Sequence, residues 1–141
     1  MRFVDTNVLL YVASTSPAEE TKAALAREIM EGDDLAISVQ VLQEFYVQAT
    51  RPTRTGRLTP EQATALVEAF LRFPVQDLTV ELMKAALLTS QRFRVSYWDA
   101  AIIEAARTLG CRTVLSEDLG HGASYGGVRV KNPFRKEAGA P

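Results

Sequence analysis

The sequence predicts an α/β domain in which a parallel sheet is covered by helices. Short apolar runs suited to buried strands alternate along the chain with stretches of helical period. Strands separated by helical crossovers pair in parallel and wind right-handed. The length of 141 residues, with 47% hydrophobic and 23% charged, matches one globular unit. No repeat, low-complexity tract or linker interrupts it, so residues 1–141 are expected to form one domain, with 134–141 a short flexible tail.

Residues 2–5 are the first strand candidate, stopping at Asp5-Thr6-Asn7, and Val8 to Val12 read as a buried helical turn or two. A helix is expected over 17–30. Pro17 is tolerated at a first helical position, Glu19 and Glu20 suit the positive end, and Gly32 ends the run. Residues 35–39 form the next strand candidate, followed by a helix through Leu42, Phe45, Tyr46 and Ala49. Residues 51–59 are a polar loop broken by Pro52 and Gly56. Thr59-Pro60-Glu61-Gln62 carries a complete start signal: Thr59 as cap, Pro60 at the first position, and Gln62 three residues after the cap. That helix is expected to reach about Phe73. A short strand over 75–78 follows, then a helix capped by Thr79. Ser96 opens another helix, through Ile102, Ile103 and Ala106 to a stop at Gly110. Strands over 111–116 and 127–131 close the pattern.

The composition excludes a disordered chain, a collagen-like chain and a disulfide scaffold. Cys111 is the single cysteine, which suits a reducing cytoplasm and leaves no thiolate cluster for zinc. No apolar run approaches the roughly 20 residues a bilayer demands, and Asp5 interrupts any secretory apolar segment near Met1. No membrane partner is expected.

Net charge is −1, from 16 Lys+Arg against 17 Asp+Glu, which argues against a strongly basic nucleic-acid binder. The distribution is uneven: acids dominate residues 1–50 and bases dominate the remainder. Arginine outnumbers lysine, and its fork suits phosphate oxygens.

Ligands of open α/β sheets sit beyond the carboxyl ends of the strands. Asp5 ends the first strand there, Asp118 follows the strand over 111–116, and Asp99 lies in the first turn of its helix. Glu44 borders the apolar side of its own helix. Each acid also has a plainer role. Asp5 could cap the next helix, Ser96 and Asp99 could be a capping pair, Asp118 could cap a turn, and Glu44 could pair with an arginine. Together, four carboxylates at one sheet edge with no adjacent Lys or Arg would repel one another unless a cation intervened. With histidine and cysteine ligands absent, such an all-oxygen site suits Mg²⁺ or Mn²⁺, which polarise phosphates and activate water.

At these positions the sequence resembles the PIN-domain family, in particular the VapC-like toxins of prokaryotic toxin–antitoxin pairs. The resemblance rests on Phe-Val-Asp-Thr-Asn at 3–7, Ser-Val-Gln-Val-Leu-Gln-Glu-Phe-Tyr at 38–46, Ser-Tyr-Trp-Asp-Ala-Ala-Ile-Ile-Glu-Ala-Ala at 96–106 and Leu-Ser-Glu-Asp-Leu at 115–119. Gly-Val-Arg-Val-Lys-Asn-Pro-Phe at 127–134 is similar to the family's closing strand. The resemblance implies a three-layer α/β/α sandwich with four to five central parallel strands. It also implies metal-dependent endoribonuclease activity with Mg²⁺ or Mn²⁺, one or two ions. Asp5, Glu44, Asp99 and Asp118 are then catalytic, the three aspartates hold metal, and Thr6, Asn7 and Ser116 support them. Glu117 stands beside Asp118, and either could face the cluster; Asp118 ranks first. A homodimer and a VapB-like antitoxin partner are implied as well, with Ala63, Leu66, Val67 and Phe70 offering apolar contact surface or an ordinary core face.

RNA approaching an acidic site requires a basic path. Arg51, Arg54 and Arg57 are the leading candidates, with a solvated loop as the alternative. His121 reads as a bystander. Tyr97 and Trp98 read as packing residues, with stacking on a base as the alternative. Two other functions compete: a catalytically silent binding module on the same fold, and a Mg-dependent phosphohydrolase. The latter ordinarily places a second Asp beside or two residues after the first, where Thr6 and Asn7 stand.

Overall fold

A computed structural model describes residues 1–135. Its sheet has six strands in the order β3-β2-β1-β4-β6-β5: β1 (Arg2–Val4), β2 (Leu35–Ser38), β3 (Val75–Gln76), β4 (Thr113–Leu115), β5 (Ser124–Tyr125) and β6 (Val128–Lys131). The five strands from β3 to β6 run parallel, and β5 joins the edge antiparallel. β2 is buried at every residue and β1 and β4 nearly so, as expected of strands covered on both faces. β6 alternates buried valines with exposed basic residues, so one of its faces meets solvent.

The helices are α1 (Thr6–Val12), α2 (Glu20–Met30), α3 (Val39–Ala49), α4 (Pro60–Phe70), α5 (Val80–Phe93) and α6 (Tyr97–Thr108). α1 packs on α2 and α3, and α3 on α4; α5 lies along α6, which also meets β2, β4 and β6. Helices thus flank a mostly parallel sheet, the α/β sandwich read from the sequence. Phe3, Leu9, Leu35, Ile37, Phe45, Ile103 and Leu115 are the largest wholly buried side chains of the common core.

α4 ends at Phe70 and not near Phe73, β3 covers only Val75–Gln76 of the expected 75–78, and β4 stops at Leu115 before Ser116. Three further boundaries differ for local reasons. Pro17–Glu19 forms a 3-10 turn, and α2 begins only at Glu20. Gly126 and Gly127, at φ 59° and 93°, make the two-residue turn of the β5–β6 hairpin, so Gly127 is turn and not strand. Cys111 is buried but precedes β4. Of the tail expected over 134–141, residues 136–141 lie outside the described residues, while Phe134 sets its ring edge-on against Tyr11 at 4.8 Å.

The strand order positions the site. The chain builds outward on one side of β1, through β2 to β3, then returns to lay β4 against the other side. The carboxyl ends of β1 and β4 are therefore the switch point where such sheets open a crevice.

Candidate active site

Asp5 leaves the end of β1 and caps α1: its Oδ1 accepts from the Thr6 amide at 2.7 Å. Its Oδ2 accepts from the hydroxyl of Ser116, the residue after β4, at 2.7 Å. Asp5 is thus both a cap and a member of the crevice. Ser116 Oγ also accepts the Asp118 amide at 3.1 Å, fixing the turn that carries the second acid. Asn7 completes this side, donating through Nδ2 to Asp118 Oδ2 at 3.1 Å and accepting the Glu117 amide at 3.2 Å.

Glu44 comes from α3, half-buried at the same crevice. Thr6 Oγ1 donates to its Oε2 at 2.8 Å, and Gln40, one turn earlier on α3, donates to its Oε1 at 3.0 Å. Asp99 lies in the first turn of α6, where Ser96 caps its amide at 3.1 Å. Asp5, Glu44, Asp99 and Asp118 line one cleft of about 150 Å³, together with Thr6, Asn7, Gln48 and Trp98. No lysine or arginine is among the described residues lining it.

The electrostatics follow from that composition. Burial pushes the Asp5 carboxyl up to about 6, with the charges of Glu44 and Asp118 adding to the rise and the Ser116 and Thr6 bonds opposing it. Asp99 is raised chiefly by burial, against the Ser96 bond and with the help of Asp118 and Glu44.

Glu117 points elsewhere. Its carboxylate accepts from Lys22 Nζ and from the Tyr11 hydroxyl, each at 2.6 Å. Burial opposes its ionisation, but those two partners outweigh it and hold the carboxyl below the usual range. Arg51, Arg54 and Arg57 are brought to the exposed turn after α3, and none lines the cleft. His121 accepts the Asn132 amide at 3.1 Å, also away from the cleft. Trp98 departs from the expectation of packing: the residue is 64% exposed at the cleft wall.

Gln40 was not singled out from the sequence. Its position one helical turn before Glu44 was the available signal, since residues four apart share a helix face. Lys22 and Tyr11 had no such signal.

A family model for the PIN domain matches residues 2–122. The chain belongs to the PIN-domain family. This PIN domain shares its fold with solved structures of low sequence identity. A toxin–antitoxin complex from Klebsiella pneumoniae is similar at TM-score 0.72 and 18% identity, over 96% of this chain and 100% of that one. VapC20 of Mycobacterium tuberculosis, a sarcin–ricin loop cleaving toxin, is similar at TM-score 0.65 and 19% identity, over 84% and 92%. A DNA-bound VapBC from Salmonella typhimurium is similar at TM-score 0.65 and 21% identity, over 94% and 97%. No curated protein sequence matches the chain.

The donors of the PIN cleft fit a hard divalent ion by type: carboxylates, a hydroxyl and amide oxygens, with no imidazole or thiolate. Among the described residues, no three Asp, Glu, His or Cys side chains stand close enough to enclose an ion by themselves. One or two carboxylates with water completing the shell is the matching arrangement, and it is the habit of Mg²⁺.

Proposed function

We propose that this PIN domain is a metal-dependent endoribonuclease and the toxin of a cytoplasmic toxin–antitoxin pair. The observation that carries the reading is the convergence of Asp5, Glu44, Asp99 and Asp118 on one cleft with no lining cation, at the switch point of the sheet. Asp5, Asp99 and Asp118 would hold one or two Mg²⁺ or Mn²⁺ ions, directly or through waters. Such an ion supplies charge stabilisation at a phosphodiester and lowers the pKa of a water to the neutral range.

The chain's own groups prepare that chemistry. Thr6 and Ser116 hold both oxygens of Asp5, so its carboxylate enters the cleft in one orientation. Asn7 and Ser116 do the same for the Asp118 turn. Glu44, fixed by Thr6 and Gln40, orients the attacking water at the rim. Attack on phosphorus with departure of the 3′-oxygen leaves a 5′-phosphate and a 3′-hydroxyl. Arg51, Arg54 and Arg57 guide the RNA backbone from the neighbouring turn.

The toxin reading is supported by structures of the same fold that are toxins or toxin–antitoxin complexes, one of them a toxin cleaving the sarcin–ricin loop. A groove of about 570 Å³ between α3 and α4, lined by Leu42, Tyr46, Val47, Val67 and Leu71, suits an apolar segment of the antitoxin. Val67 belongs to that groove, while Ala63 and Phe70 are buried in the core. For the homodimer, Leu87 and Leu88 of α5 offer exposed apolar surface.

The test is purified protein on total RNA with Mn²⁺, with chelator, and as Asp5→Asn. Cleavage is expected in the first condition alone. Full activity of Asp5→Asn in Mn²⁺ would remove Asp5 from the metal site. Turnover of small phosphate esters with RNA left intact would instead indicate a phosphohydrolase.

A further inference from the structure

Trp98 is the single tryptophan of the chain, and its exposure of 64% is unusual for so large an apolar ring. Its position is nonetheless fixed. The Tyr97 ring meets it edge-to-face, with centroids 5.0 Å apart. Its backbone carbonyl accepts from Gln40 Nε2 at 3.3 Å, the same nitrogen that donates to Glu44. Gln40 is buried, so one side chain holds both the acid and the backbone that carries the ring.

Trp98 also lines a second hollow of about 370 Å³, walled by Leu78, Val80 and Met83 with Gln40 and Gln43 at its polar margin. Trp98 lines both spaces. An apolar hollow with a few amide groups, sharing the residue Trp98 with an acidic cleft, matches the chemistry of a base attached to a phosphodiester.

Building on the nuclease reading above, we infer that Trp98 and this hollow form a nucleobase subsite, receiving an unpaired base next to the phosphate at the acids. Any base presents a π-face to the indole, so the subsite tolerates sequence while requiring an unstacked nucleotide. Bases inside an A-form helix are covered on both faces, so the subsite selects single-stranded or splayed-out RNA. The Gln40 amide nitrogen is committed to Glu44 and Trp98, which leaves the exposed Gln43 amide to meet the base edge.

The experiment uses the fluorescence of Trp98, which no other tryptophan obscures. The whole chain in Ca²⁺ is titrated with a short labelled single-stranded RNA and with an abasic strand of the same backbone. Anisotropy of the label reads binding, and Trp98 emission reads stacking. The RNA is expected to quench Trp98 and the abasic strand to leave it unchanged. Trp98→Ala should weaken RNA binding by about 5- to 150-fold with abasic binding unaltered, and Trp98→Phe should restore part of it. Equal binding of both strands, binding without quenching, or no binding at all overturns the subsite. So does emission that shifts with protein concentration while RNA has no effect, which would place a second copy of the chain over the ring. Cleavage of RNA in Mn²⁺ is scored separately. Quenching without cleavage removes the nuclease reading and leaves a base-binding module; cleavage without quenching removes only the subsite.

Discussion

Asp5 concentrates the energetic conflict of this cleft. It is 7% exposed, it caps α1, and its carboxyl titrates near 6, well above its unfolded range near 3.8. A carboxyl raised on folding binds its proton more tightly in the native state. Its stabilising contribution is therefore complete below about pH 4 and is lost as pH rises through about 6. The ion-free protein should lose on the order of 2–3 kcal/mol across that window. Asp5→Asn keeps an oxygen for the Thr6 amide and removes the charge, so its melting temperature in chelator at pH 7.5 should exceed that of the parent. A clear fall would show capping to be the dominant role of Asp5. The neighbouring acids Glu117 and Asp118 separate by their effect on RNA cleavage. Glu117 is engaged by Lys22 and Tyr11. Glu117→Gln is accordingly expected to leave RNA cleavage within about twofold, while Asp118→Asn lowers it on the order of 100-fold. Equal losses in the two variants would overturn that division.

At the scale of elements, each acid is delivered by the end of a strand or by a helix whose start is locally encoded. Ser38 caps α3, Thr79 caps α5 and Ser96 caps α6, each by accepting the amide three residues on. Thr59 and Gln62 bond reciprocally at the start of α4, the box read from the sequence. Thr59→Ala should cost about 1 kcal/mol in urea unfolding. Cleavage at saturating substrate should be unchanged, because α4 contributes no residue to the acidic cleft. A large loss of activity with stability intact would tie α4 to catalysis. Such elements were legible because caps, periodicity and breakers act within a few residues. β5 was not legible, because two residues carry no alternation and only pairing with β6 makes them a strand.

For the whole molecule, the proposed reading has metal and proton competing for the same cleft. The described residues bring it no cation, so bound Mn²⁺ should stabilise the fold by mass action, by about 2.7 kcal/mol at a hundredfold excess over its dissociation constant. The gain should be larger at pH 7.5 than at pH 5, where Asp5 still holds its proton. Thermal melts across an ion titration at the two pH values measure this. A gain independent of pH, or the same gain in Asp5→Asn, would place the ion elsewhere. No helix among the described residues is long and apolar enough to cross a membrane.

The sequence by itself determined the α/β class, the order of the elements apart from β5, and the four candidate acids. Those depend on residue type, short spacing and chain order, which local physics reads directly. Tertiary structure decided what each acid faces. Lys22 reaches Glu117 across 95 residues, and Ser116 reaches Asp5 across 111, distances over which the sequence carries no pairing rule. The exposure of Trp98 was decided in the same way. The start of α6 is encoded by Ser96, but whether a ring there packs or projects depends on which surfaces the fold brings beside it. Here those surfaces are an acidic cleft and an apolar hollow, both lined by Trp98.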